Sequence, residues 1–132
     1  MPADYTGRMH RSRLAGFIID CQSPDLQEAT VFWSAALGLA PVAADGDKYI
    51  ALDASARNLA IEVQKVSHPS RVHLDIESDD VEAEVARLER LGARRIGQVN
   101  SWVVMEAPTG QRFCVIRAKS DLGTRSGARA WE

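Results

Sequence analysis

The residues with the clearest chemical potential are His73 and Asp75, which lie two positions apart within residues 71–77. Apolar and polar side chains alternate in this segment, and that alternation is typical of a β-strand with one face in an apolar core. Side chains two positions apart on a strand share one face, with their bases about 6.5–7 Å apart. His73 and Asp75 could therefore contact one bound polar group, with one of them acting as a general base.

A structural interpretation of the aspartates competes with this one. Asp20, which follows the apolar pair Ile18 and Ile19, and Asp75 could each accept hydrogen bonds from backbone amides or an arginine inside a sheet. We favour that interpretation for Asp20. For Asp75 the sequence leaves both interpretations open.

Two aromatic residues are candidates for contact with a ligand. Tyr49 and Trp102 each begin a predicted strand beside a turn, where an amphipathic ring can stack on a flat molecule. Packing in the core or at a dimer contact would explain either ring equally well.

Arg112 and Cys114 are two further candidates on one predicted strand. The planar guanidinium of Arg112 could bind a substrate carboxylate, or it could form a structural ion pair with Glu106 or Asp75. Cys114 could act as a nucleophile only if a cation such as Arg112 stabilised its thiolate. The alternative for Cys114 is a small side chain that lines a cavity.

Length and charge narrow the possible function classes. A chain of 132 residues with a net charge of −2 is about one domain, without the basic excess of a nucleic-acid-binding protein. Its apolar runs are far shorter than the roughly 18 residues of a membrane span, and residues 1–13 lack the apolar core of a signal peptide. Two cysteines, Cys21 and Cys114, are too few for a disulfide framework. We therefore expect a cytoplasmic protein without nucleic-acid or membrane partners.

The hydrophobic pattern predicts strands and two helices between tails at residues 1–13 and 118–132. Ser23 and Pro24 are typical of a helix start, and Gly38 of a left-handed helix end. Asp79, Asp80 and Glu82 resemble a capping box at the start of the second helix. Strands are predicted at residues 14–21, 49–53, 59–66, 71–77, 95–99, 102–106 and 112–117.

The two halves of the chain repeat one pattern of a strand, a capped helix and several short strands. Leu37-Gly38 at the end of the first helix matches Leu91-Gly92 at the end of the second. Such a repeat within one small domain indicates two supersecondary units that bury their helices against a sheet.

Three segments, residues 32–38, 71–75 and 104–114, make the sequence similar to a known family. Over residues 14–117 it resembles the vicinal oxygen chelate superfamily of glyoxalases, bleomycin-resistance proteins and dioxygenases, and most of all its single-domain glyoxalase-like branch. The resemblance implies an α+β fold of two tandem βαβββ modules, at about residues 14–66 and 71–117, whose eight strands curve into a cup that binds a ligand. It also implies a homodimer. A ferredoxin-like sandwich is the alternative fold.

The same resemblance implies positions for metal ligands in the first and last strands of each module. His73 lies at one such position and Glu62 or Gln64 at another, whereas Ile18 and Cys114 occupy the remaining two. An isoleucine offers no ligand atom, so the site is incomplete. A divalent metal on His73 and Glu62, aided by Asp75 and Cys114, is possible but not favoured. The alternative is a neutral His73 imidazole hydrogen-bonded to Glu62 or Gln64.

Two hypotheses for the function follow. The first is a lyase or isomerase in which His73 takes a proton together with Glu62 or Asp75, and a metal or Arg112 stabilises the developing oxyanion. The second is a metal-free module that binds or sequesters a small molecule. The ligand-binding candidates in either case are Tyr49, Gln64, Trp102, Arg112 and Cys114.

Overall fold

The computed structural model describes residues 9–132, which fold into two α-helices and nine β-strands. This confirms the mixed α+β class. A 3-10 turn at Ser55–Arg57 precedes the fourth strand. Neither described helix is long and apolar enough to span a membrane. The elements are β1 His10–Gln22, α1 Gln27–Leu37, β2 Pro41–Asp45, β3 Tyr49–Leu52, β4 Ala60–Val66, β5 Arg71–Ser78, α2 Val81–Arg90, β6 Arg94–Val99, β7 Trp102–Glu106, β8 Arg112–Arg117 and β9 Arg129–Trp131.

The described chain divides into two compact units. The first unit is Gly16–His73, and the second combines residues 9–15 with Leu74–Glu132. The long strand β1 and the strand β5 each contribute residues to both units.

In the first unit the strands follow the order β2-β3-β4-β1. Strands β1 and β4 are parallel, while the β2–β3 and β3–β4 pairs are antiparallel. One face of this sheet packs on α1 through a cluster of apolar side chains. The buried members of that cluster are Ile19, Cys21, Leu26, Leu52 and Val63. Because side chains alternate along a strand, the neighbours of Ile19, namely Ile18 and Asp20, point to the opposite face.

The second unit repeats this arrangement with the order β5-β8-β7-β6. Strands β5 and β8 are parallel and the other pairs antiparallel, and α2 packs on one face. The buried cluster is Val85, Leu88, Val103, Met105, Phe113 and Val115. The predicted repeat is therefore present in both units.

The helix ends follow the sequence signals in part. Asp80 caps α2 by accepting a hydrogen bond from the amide of Ala83 at 3.1 Å, and Gly38 ends α1 at a φ of 69°. However, α1 begins at Gln27 and not at Ser23 and Pro24. The N-cap residue is Leu26, which makes no side-chain cap hydrogen bond, and the side chain of Asp25 accepts the amide proton of Gln27 at 2.9 Å.

Three strand segments lie where the hydrophobic pattern gives no signal. Strand β2 is fully exposed and therefore lacks an alternating pattern. Strand β1 begins at His10, inside the predicted N-terminal tail. Strand β9 lies in the predicted C-terminal tail and pairs with β1, where the Trp131 indole N–H donates to Ser12 Oγ at 2.9 Å.

A buried ionic network stabilises the second unit beside β9. Glu84 on α2 is 0% exposed and contacts His10 Nε2 at 2.8 Å and the guanidinium of Arg87 at 2.8 Å. The guanidinium of Arg87 also lies over the Trp131 ring, 3.9 Å from its centroid. Burial alone would raise the pKa of Glu84, but hydrogen bonds from Arg87, His10 and Ser12 and the charge of Arg87 lower it below its usual range.

The first prediction concerns the close approach of β1 and β4. Gly16 lies opposite Ala60, and a Cβ at Gly16 would overlap the Ala60 carbonyl oxygen. Gly16→Ala should therefore lower the free energy of unfolding by at least about 2 kcal/mol in urea titrations. Gly97→Ala, where an added Cβ meets no atom within 4 Å, is the matched control and should cost less than about 1 kcal/mol. Equal stability of the two variants would contradict the strand register.

The second prediction concerns pH. The pKa of Glu84 is lower in the folded chain than its ordinary value of 4.5, so its stabilising contribution is present above that value and is lost as the pH falls through the folded pKa. Glu84→Gln should therefore destabilise the protein at neutral pH, and its difference from the wild type should shrink in acid. Glu89→Gln, an exposed change on the same helix, should stay within about 0.5 kcal/mol of the wild type throughout. A pH-independent difference for Glu84→Gln would refute the assignment.

Candidate functional site

The face of the first unit opposite α1 carries a row of polar side chains. Asp20 on β1 is in register with Gln64 on β4, and Gln64 is in register with Tyr49 on β3. Residues in register on neighbouring strands share one face of a sheet, so these three form a continuous row. The Gln64 amide donates to the Tyr49 hydroxyl at 3.2 Å, which holds the two side chains together.

His73 joins this row through a hydrogen bond with Asp20. The distance between His73 Nδ1 and Asp20 Oδ2 is 2.7 Å, and the side chains are 15% and 2% exposed. An ionised carboxylate can only accept a hydrogen bond, so Nδ1 carries the proton. In the neutral imidazole, Nε2 therefore keeps its lone pair and can accept a proton or bind an electrophile.

Arg71 lies on the same side of β5 as His73 and approaches the same oxygen. Its Nε is 3.8 Å from Asp20 Oδ2, and its Nη2 is 3.4 Å from the imidazole Nε2 of His68. The positive guanidinium compensates the charge of the buried carboxylate. The other oxygen of Asp20, Oδ1, is buried and has no hydrogen-bond partner among the described residues.

Glu62 lies on this same face, in register with Ile18 and Ala51 in the row next to Asp20. Ile18 is 5% exposed and offers no ligand atom at the position where the resemblance implies one. The Nδ1 of His73 is occupied by Asp20. The predicted metal ligands of this unit, His73 and Glu62, therefore have Ile18 beside them where a further ligand atom is needed. These residues do not fit a complete metal site. The row therefore supports acid–base chemistry by His73 and hydrogen bonding by Gln64 and Tyr49.

In the second unit, the predicted residues lie on the face opposite α2. Asp75 is in register with Cys114 on β8, and a carboxylate oxygen of Asp75 lies within 4.8 Å of the Cys114 sulfur. Trp102 is half-buried at the start of β7. His73 is the last residue of the first unit and Asp75 belongs to the second, so their sharing of one ligand stays a prediction.

Arg112 forms an ion pair with Glu106. This is the structural role that the sequence left open beside binding of a substrate carboxylate. Its Nε is 3.4 Å from Glu106 Oε2, and the other oxygen of Glu106 accepts a hydrogen bond from Arg94 at 2.7 Å. These guanidinium groups, Arg94 first, lower the pKa of Glu106 below its usual range. Binding of a substrate carboxylate by Arg112 would have to compete with Glu106.

Cys21 is a buried, free thiol of the first unit. Burial, together with the nearby charge of Asp20, raises the pKa of the Cys21 thiol. Both cysteines are free, as the sequence predicts.

The role of Asp20 in orienting His73 was not predicted from the sequence, and neither was the place of Arg71 in the site. An arginine does lie beside Asp20, but at an ion-pair distance of 3.8 Å and not as the predicted hydrogen-bond donor, and the hydrogen bond with His73 was not predicted. The partner predicted for His73 was Glu62 or Gln64 on β4. In the sheet order, however, β1 lies between β4 and β5. Neighbouring strands are about 4.8 Å apart, so a side chain on β5 is one strand spacing from β1 and two from β4. The available signal was Asp20 itself, a charged residue that directly follows the apolar pair Ile18 and Ile19.

The third prediction is that the tautomer of His73 depends on Asp20. In long-range proton–nitrogen NMR spectra, the neutral His73 ring should be protonated at Nδ1 and unprotonated at Nε2. Asp20→Leu removes the acceptor and should shift the ring towards the Nε2–H form that free histidine favours, whereas Asp20→Asn keeps an acceptor oxygen and should retain Nδ1–H. An Nε2–H tautomer in the wild type would show that the hydrogen bond is absent in solution.

Comparison with known proteins supports the fold. The sequence matches the family model described as the glyoxalase-like domain over residues 16–116. A comparison with curated proteins returned no match.

Solved structures give the same result at low sequence identity. A hypothetical protein from Bacillus halodurans is 12% identical, with a TM-score of 0.61 over 83% of this chain and 96% of that chain. Methylmalonyl-CoA epimerase from Mycobacterium tuberculosis is 14% identical, with a TM-score of 0.60 over 84% and 91%. A glyoxalase/bleomycin resistance protein/dioxygenase superfamily member from Vibrio splendidus is 13% identical, with a TM-score of 0.51 over 76% and 96%. These matches confirm the glyoxalase-like fold that the resemblance implied.

Proposed function

This chain belongs to the glyoxalase-like domain family, and from that premise we propose that it is an enzyme that moves a proton on a small polar molecule, as an isomerase or a lyase. The general base is Nε2 of His73. The observation that supports this proposal is the 2.7 Å hydrogen bond between His73 Nδ1 and the buried carboxylate of Asp20. A histidine held this way is oriented, and the lone pair of its neutral ring lies on Nε2.

The proposed step is removal of a proton from a carbon next to a carbonyl group. Nε2 of His73 takes the proton, the electron pair of the C–H bond moves towards the carbonyl oxygen, and an imidazolium forms. The carboxylate of Asp20 stabilises that imidazolium because it lies in a buried site, where an opposite charge interacts more strongly than in water. Return of the proton to another position gives isomerisation, and loss of a leaving group gives elimination.

Glu62 is the second titratable group of the proposal. It is half-buried on the same face as Asp20 and Gln64, one row away. A second acid or base on one face lets a proton leave and return at different positions of a substrate. In this proposal Tyr49 and Gln64, joined by their hydrogen bond, contact the bound molecule at the other end of the row.

A structure that shares this fold bears the name of an enzyme with related chemistry. One of the solved structures of this fold is named a methylmalonyl-CoA epimerase, and epimerisation is a rearrangement at carbon. At 14% identity the likeness concerns the fold, so the proposed reaction of this chain depends on its own residues.

The fourth prediction is a solvent-exchange result. Incubated in D₂O with a panel of 2-oxo acids, 2-hydroxy aldehydes and acyl thioesters, the wild type should introduce deuterium next to the carbonyl of at least one compound, as followed by NMR. His73→Gln should lower that rate at least about 100-fold, because it removes the base. Asp20→Asn should also lower it, since the imidazolium loses its counter-charge.

Glu28→Gln is the control for this experiment. Glu28 is exposed on α1, on the opposite side of the sheet, and its replacement should leave the exchange rate within about twofold. Exchange that persists in His73→Gln would refute the proposal. Saturable binding of a panel compound without any exchange would favour the metal-free binding module instead.

A further inference from the structure

Arg71 is a cation beside the proposed base. The described residues form only weak pairs with its guanidinium. Its Nε is 3.8 Å from Asp20 Oδ2, which is an ion-pair distance but too long for a good hydrogen bond. Its Nη2 approaches His68 Nε2 at 3.4 Å, which is also long. The Arg71 guanidinium has five N–H donors, and its two partners among the described residues are Asp20 and His68.

The position of Arg71 is fixed although its pairing is weak. Strand β5 places Arg71 and His73 two residues apart, so both side chains extend from the same side of the strand. Both approach a single oxygen of Asp20, and Asp20 is in turn buried on β1. The Arg71 side chain is 47% exposed, so its guanidinium remains accessible next to His73.

The other cations near the row contact residues other than Asp20 and His73. Lys65 lies on the face that packs on α1, in register with Cys21, and forms an ion pair with Asp47 at 3.5 Å. Lys48 places its amine over the ring of Tyr49, 5.8 Å from the centroid. Arg71 is therefore the cation of the first unit that shares an anchoring group with His73.

We propose that Arg71 is a specificity-determining residue that binds a carboxylate of the substrate through its planar guanidinium. The inference rests on the proposed function, because the bound carboxylate holds the C–H bond next to the substrate's carbonyl group at Nε2 of His73. Two parallel N–H···O bonds match the geometry of a carboxylate, which a lysine at the same position could not reproduce. The substrate class is accordingly small carboxylic acids with a carbonyl group, and not their neutral esters or amides.

The fifth prediction uses oxalate as the probe, with oxamide as its neutral counterpart. Titration of oxalate should shift the ring signals of His73 in proton–carbon NMR spectra, and oxamide should not. Arg71→Gln should weaken oxalate binding at least tenfold, and Arg71→Lys should be intermediate. Arg57→Gln, an exposed arginine of the same unit in the turn before β4, is the matched control and should bind oxalate within twofold of the wild type.

Steady-state kinetics separate this inference from the proposed function. For an exchanging acid, Arg71→Gln should raise KM at least tenfold, and the wild type should exchange the methyl ester of that acid at least about tenfold more slowly than the acid. His73→Gln should still bind oxalate within about threefold of the wild type although its exchange is lost. Equal oxalate binding by Arg71→Gln and the wild type, or equal weakening by Arg57→Gln, would overturn the role of Arg71 and leave His73 as the base. Urea midpoints within 0.5 M of the wild type would show that the variants are folded.

Discussion

The burial of one carboxylate, that of Asp20, is the constraint on which the site of the first unit depends. A charged group that is 2% exposed must be compensated, and here two residues of β5 compensate it: His73 by a hydrogen bond and Arg71 by an ion pair. The same contacts that satisfy the carboxylate also orient an imidazole and a guanidinium side by side. The bonds to Asp20 therefore both compensate its buried charge and position the two side chains of the proposed site.

Alternation along the strands separates this polar row from the apolar core. Ile19 and Val63, paired across β1 and β4, pack on α1, whereas their neighbours Asp20 and Gln64 point away from it. Because β1 and β4 approach closely at Gly16 and Ala60, the parallel register of the two strands is fixed at their start. A slip of one residue would bring Asp20 to the apolar side, so the core and the row are specified together.

The sequence predicts local features of this protein well and long-range ones poorly, for a physical reason. The strand at residues 71–77 and the Asp80 cap follow from neighbouring residues, and both are found. The apolar face expected for that strand is not buried along its length, because Val72 and Leu74 are 56% and 43% exposed. The contact of His73 with Asp20 depends on which strands are adjacent, and periodicity carries no information on strand order. Likewise, the fully exposed β2 and the short β9 are strands because of their pairing partners, and their own composition gives no sign of it.

The pairing of β9 with β1 has a consequence for the order of folding. The indole of Trp131 and the hydroxyl of Ser12 are separated by 119 positions in the chain, so this contact closes a very long loop. Its entropic cost falls only once the intervening segments have become compact, which makes it a late event. During synthesis the N-terminal half of β1 leaves the ribosome early and remains without this partner strand until residues 129–131 have been added. The edge that β9 covers is therefore open to pairing with other chains until β9 has been made and has paired.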